Sequence, residues 1–289
     1  MTRRISRISI FVGLLALGVL GSVAPAMATP TGDFAKFVNC PLKTAGVNQC
    51  IYATTKSGEV KIGTASPQTA VPITKELVLQ GGIIAEESEP FGETFVNPIH
   101  GVPALSNAAQ TVPGGILGIL APSFFPEPLK AIFNEFINHG PTGVTATTEL
   151  VGAIGINKNN LLNGSGIALT LPVRIHLGNE FLGPECYIGS AKSPVTLHLT
   201  TAPPGKTGTL SFKDEENLAV VIGTSLVDSK FSVPTAEGCG KQILFGIFTG
   251  IVDGAINSKL GLPAGSGVNS ATLNGNEEAA NASAVIASE

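Results

Sequence analysis

The sequence predicts a mainly β protein: an antiparallel β-sandwich or barrel-like sheet with two packed helices, at about 128–139 and 241–258. Two observations carry this. From Ile167 to Leu177, apolar residues alternate with Ala168, Thr170, Pro172, Arg174 and His176, the period of a strand with one buried and one wet face. The chain of 289 residues also holds 35 Gly and 20 Pro with only 13% charged residues, a composition of short strands joined by turns.

The N-terminus reads as a secretory signal over residues 1–28. Arg3, Arg4 and Arg7 precede an uncharged apolar run, and Ala26-Met27-Ala28 offers the small-residue cleavage site. Thr29 follows instead of a lipid-accepting cysteine, so the expectation is a secreted protein, extracellular or loosely associated with the cell envelope. Removing those 28 residues leaves 261 and takes the net charge from −4 to −7. That acidity argues against nucleic acid as a partner, because phosphates are neutralised by clustered Lys and Arg. The later apolar runs are too short to span a bilayer as helices, so no transmembrane anchor is expected after cleavage. Zero Trp and two Tyr give no aromatic girdle for an outer-membrane barrel.

Four cysteines in an oxidising compartment predict two disulfides. Three pairings exist. Cys40 with Cys50 is preferred because a short loop closes easily, leaving Cys186 to Cys239.

Further along, Cys50-Ile51-Tyr52, Glu59-Val60-Lys61-Ile62 and Leu77-Val78-Leu79 read as meandering strands, the first two separated by a turn at Ser57-Gly58. Leu129, Ile132, Phe133, Phe136 and Ile137 recur at helical spacing between Pro128 and Gly140-Pro141, an amphipathic helix with matching ends. Its apolar stripe covers a sheet face on one reading; on a sharper one, Leu129, Phe133 and Phe136 form a lid over a hydrophobic pocket. The strand at Ile167–Leu177 contains Pro172, which cannot donate to a ladder and so predicts an edge or a bulge. Val195, Leu197 and Leu199 alternate likewise, and pairing of the two strands would let His176 meet His198. Leu218–Ile222 and Lys230–Val233 read as further strands. In the second helix, Gly246, Gly250 and Gly254 fall four apart, which suggests another backbone in close approach. Residues 29–274 are read as one β-rich domain and 275–289 as a flexible C-terminal tail.

The motifs of common enzymes are missing. There is no G-x-S-x-G, no H-E-x-x-H, no G-x-G-x-x-G and no calcium loop, so no catalytic residue, cofactor or metal site is assigned.

Cys40-Pro41, Gln49-Cys50-Ile51-Tyr52, Leu79-Gln80-Gly81-Gly82, Val112-Pro113-Gly114-Gly115, Leu171-Pro172-Val173-Arg174-Ile175-His176-Leu177, Cys186-Tyr187-Ile188-Gly189-Ser190 and Gly238-Cys239-Gly240 carry a resemblance. The chain resembles an uncharacterised family of secreted proteins of high-GC Gram-positive (actinobacterial) bacteria. The resemblance implies export and assigns no residue a role.

The sequence points first to a non-catalytic extracellular or envelope protein acting by interaction or structure, on an unknown partner. The second reading is a carrier of small apolar, lipid-like ligands in a cavity under the amphipathic helix; the third is a secreted hydrolase with dispersed Glu or His. A closed apolar cavity rather than a solid core separates the second reading from the first.

Overall fold

The computed structural model describes residues 29–65, 70–85, 93–99, 101–106, 108–241 and 249–289. Residues 1–28, read above as a secretory signal, and residues 242–248, with Gly246, lie outside them.

Among the described residues, fourteen strands form one antiparallel sheet. Its main path begins with β11 (Thr209–Lys213), β12 (Leu218–Asp228), β14 (Ser270–Asn281), β1 (Gln49–Lys61) and β3 (Leu77–Ala85). It continues through β4 (Glu93–Val96), β7 (Gly155–Ile156), β8 (Leu169–Gly178), β6 (Val144–Leu150) and β5 (Gln110–Val112). Off this path, β2 (Ala70–Pro72) pairs with β1, β10 (Val195–Leu199) and β9 (Tyr187–Ile188) pair with β8, and β13 (Ala236–Glu237) pairs with β9. The path is open at β11 and β5, but it curls. Just beyond β10, Thr200 and Val227 of β12 exchange two backbone hydrogen bonds of 2.9 Å, so the strands wrap round a common interior. The wall is thinnest between β4 and β7, which share the single pair Thr94 and Gly155.

Bulges supply the curvature. One lies in β1 between Thr55 and Ser57, so Ser57-Gly58, expected to turn the chain, instead bends a single long strand. A second lies in β12 between Ile222 and Thr224, where Gly223 adopts φ +77°, a conformation that side-chain-bearing residues rarely reach. In β3, a Cβ on Gly81 would stand 2.5 Å from the Phe95 ring. Gly81→Ala is therefore expected to cost about 1–3 kcal/mol by overpacking, read as a lower urea midpoint.

The inward face of β8 is the alternating set of the sequence, with Leu171, Val173 and Leu177 buried. Its neighbours differ from expectation. β8 is flanked on both sides, by β10 and β9 on one and by β6 and β7 on the other. Pro172 is tolerated because the flanking strand is interrupted there: Val151 N donates to Pro172 O at 3.0 Å, and the chain then leaves the ladder at Gly152 before β7 begins. The missing N–H falls at that gap.

Residues 275–289 are not a flexible tail. Asn276, Glu277 and Glu278 lie within β14, paired to β1 on one side and β12 on the other, and α4 (Ala282–Ala287) closes the chain against the sheet. Their charges hid the strand: Glu278 points to the outer face, where Lys36 Nζ meets it at 2.6 Å. That outer face carries its own small core, with Phe34, Phe37, Leu218, Val220 and Val285 packed round the disulfide Cys40–Cys50. Lys230–Val233 forms no strand; Val233 makes one bridge, to Ala264.

The first predicted helix is present as α1 (Glu127–Asn138), a short α2 (Lys158–Asn163) follows β7, and the described part of the second predicted helix is α3 (Thr249–Leu260). The glycine argument for α3 fails, since a Cβ on Gly250 or Gly254 would meet open space. Polar side chains dock this helix instead: Asp253 Oδ1 accepts from Cys239 N at 2.8 Å, and Asn257 exchanges bonds of 2.7 and 3.0 Å with the Ala236 backbone. Cys186–Cys239 staples the same region. Both disulfides are thus paired as the sequence suggested. None of the described helices is long and apolar enough to cross a membrane.

Candidate ligand-binding cavity

The inward faces of the curled strands do not meet. Between them lies a cavity of about 680 Å³, within the range of sites that enclose a small organic ligand. Alternation along each strand aims a row of side chains inward: Leu169, Leu171, Val173 and Ile175 from β8, Ile51 and Ala53 from β1, Leu273 and Ala279 from β14. The space is left open by size as much as by curvature. Ala53, Ala146, Ala219 and Ala279, from four different strands, occupy inward positions where larger residues would fill it. None of the described phenylalanines lines the cavity; Phe34 and Phe37 pack in the outer core.

The cavity reaches solvent at its rim. Leu120, Leu162 and Leu210 line it and are nevertheless 45%, 38% and 40% exposed. Loops and helix ends complete the wall. Pro113, Gly115 and Gly118 come from the segment before α1, and Ser258, Lys259 and Leu260 from the last turn of α3.

The polar groups on the wall fall into two kinds. Gln110 and Lys158 are engaged by the protein itself. Gln110 Oε1 accepts from Thr74 N at 2.9 Å and Lys75 N at 3.0 Å, and its Nε2 donates to Lys75 O at 2.9 Å. Lys158 Nζ pairs with Glu93 at 2.8 Å and also donates to Gln49. Glu277 is the other kind. It stands on the inward face of β14 between Ala53 of β1 and Val221 of β12, and Thr224 donates its hydroxyl to Oε2. Burial among apolar neighbours lifts this carboxyl from the usual 4.5 to about 7, with the Thr224 bond acting in the opposite direction.

The proposed lid residues are placed outside this wall. Leu129, Phe133 and Phe136 do not line the cavity; Leu129 is 51% and Phe136 76% exposed, and Ile137 is the buried residue of α1. The helix is tied to the rim by its C-terminal end, where Asn138 Oδ1 accepts from Gly114 N at 2.8 Å; Leu129, Ile132 and Phe136 face solvent, while Phe133 packs edge-on against Phe125 and Ile137 is buried. The amphipathic period was legible; which way the stripe faces was not. The two histidines also stay apart. β8 and β10 do pair, but His198 lies opposite Thr170 while His176 lies opposite Thr147 and Tyr187, six residues further along β8. His176 stacks on Tyr187 on the outer face, beside the Arg174–Glu149 ion pair of 2.7 Å. No cluster of three or more potential metal ligands occurs among the described residues. Sequence reasoning missed Glu277, whose flanking Asn and Glu suggested a solvated tail.

Comparison with protein-family models, with curated proteins and with solved structures found no match to this chain.

Proposed function

We propose that this protein is a non-catalytic, exported carrier of a small apolar molecule, held inside the curled sheet. The apolar cavity carries the reading. Native interiors pack nearly as densely as organic crystals, with few voids larger than a water, and a greasy void of about 680 Å³ forfeits packing on every side unless a ligand occupies it. Water is a poor occupant of such a space because it needs two to four polar partners. The two disulfides suit a carrier that works outside the reducing cytosol.

A chain-length series tests this. With normal alkanes presented to the delipidated protein, each added methylene is expected to tighten binding by about fourfold until the cavity is full, after which the gain stops. Ala146→Trp, which fills the cavity from β6, is expected to weaken dodecane binding by more than about tenfold with the circular dichroism spectrum unchanged. Affinity that ignores chain length, or that survives the filling variant, contradicts a ligand held inside.

A second reading, an interaction protein, is favoured by one observation: the apolar stripe of α1 faces solvent, with Ile132 and Phe136 prominent. On that reading, ligand would bind without reference to the cavity, or not at all.

A further inference from the structure

We propose that Glu277 is the polar anchor of the cavity and that the ligand is a long-chain alcohol, its hydroxyl on the free side of the Glu277 carboxyl and its hydrocarbon chain along the apolar strands. This rests on the carrier reading and narrows it to one ligand chemistry.

Glu277 projects from a wall otherwise made by Ile51, Ala53, Val221, Leu273 and Ala279, and its cross-strand neighbour Val221 is in turn paired with Leu210, where the cavity reaches solvent. An anchor there would hold a polar end near the opening and leave the apolar interior for a chain. Thr224 donates to Oε2, nothing among the described residues bonds Oε1, and Glu277 itself lines the cavity. A carboxyl largely withdrawn from water gains from a bond to its second oxygen.

Charge then selects the ligand. Burial keeps Glu277 protonated close to neutrality, and a protonated carboxyl both donates and accepts, as a hydroxyl does. An ammonium head would require the ionised acid, and an ion pair in this wall would pay desolvation twice. A carboxylate or phosphate head would accept the Glu277 proton as a bond but bring an uncompensated charge into an apolar wall. Other charged groups near β14 and β1 have partners of their own: Glu278 pairs with Lys36 on the outer face, and Lys158 in the wall pairs with Glu93. Lys259, beside Gly118, is the competing anchor and would take an anion.

The test compares dodecane, 1-dodecanol, dodecylamine and dodecanoate by native mass spectrometry and competition titration, at about pH 6, where Glu277 holds its proton. The wild-type chain is expected to bind 1-dodecanol about tenfold more tightly than dodecane, the worth of one hydrogen bond to a buried group. Glu277→Leu is expected to bind the two equally, with dodecane binding retained as proof of folding, and Glu277→Gln to restore part of the preference. Equal binding of alkane and alcohol by wild type overturns the anchor and leaves the carrier reading standing. Preference for dodecylamine overturns it in favour of a cationic ligand. Preference for dodecanoate, lost in Lys259→Gln, moves the anchor to Lys259. Failure of every chain to bind overturns the carrier reading itself.

Discussion

Replacing Cys186 and Cys239 together by alanine is expected to lower the unfolding free energy by about 4 kcal/mol, the largest effect of any change considered. The two residues are 53 apart in sequence and both fully buried. Cross-linking a loop of that length removes about this much free energy of closure from the unfolded chain. The paired loss at Cys40 and Cys50, separated by 10, is expected to cost about 3 kcal/mol by the same reasoning. For a domain of this size the larger loss corresponds to a fall of roughly 8–16 °C in Tm. The location matters as well as the length. Cys186–Cys239 ties the segment before β9 to the one after β13, where Asp253 and Asn257 dock α3, so its loss loosens the helix whose last turn closes part of the cavity. Urea unfolding of the two double variants checks both magnitudes and their order; a larger cost at Cys40–Cys50 contradicts the account.

Raising the pH from about 4.5 to above 7 is expected to cost the wild-type protein about 3 kcal/mol of stability through Glu277 alone. The folded carboxyl titrates near 7 and the unfolded one near its ordinary 4.5. Between those values the unfolded chain has released its proton while the folded chain still holds it, so unfolding is increasingly favoured as pH rises. Above about 7 both states are ionised and the difference levels off. In Glu277→Gln the group no longer titrates. Wild type and variant are therefore expected to diverge with pH, the variant being more stable by about 3 kcal/mol near pH 8 relative to their difference near pH 4.5. Parallel stability profiles contradict a buried Glu277. An alcohol on Oε1 should favour the protonated form further and push the midpoint of the divergence upward.

β8 and β10 were legible because one face was greasy and the other wet. Leu169 to Leu177 and Val195 to Leu199 showed their period because inward positions carry large apolar residues and outward ones Thr, His and Arg. β14 was not legible for the opposite reason: its inward face is Leu273, Gly275, Glu277 and Ala279, small or charged because it borders a void, and its outward face is Asn and Glu. The cavity itself erased the signal. Periodicity also reports that a residue faces inward without reporting whether anything is there to meet it, so Ala219, inside the expected strand Leu218–Ile222, gave no sign of a void. Pro172 misled because the interruption that accommodates it lies in a neighbouring strand. In α1 the pattern fixed the helix and its apolar side, but the partner of that side is a tertiary property. In α3 the glycine spacing suggested a close neighbour that Gly250 and Gly254 do not meet, while Asp253 and Asn257 are the groups that dock it.

The account stands on an apolar molecule lying inside the curled sheet, and nuclear Overhauser contacts between bound 1-dodecanol and methyl-labelled protein locate it directly. Contacts from the alkyl chain to the methyl groups of Leu171, Val173 and Leu273 are the predicted result. Contacts confined to Leu129 and Ile132 on the exposed stripe of α1 would contradict it.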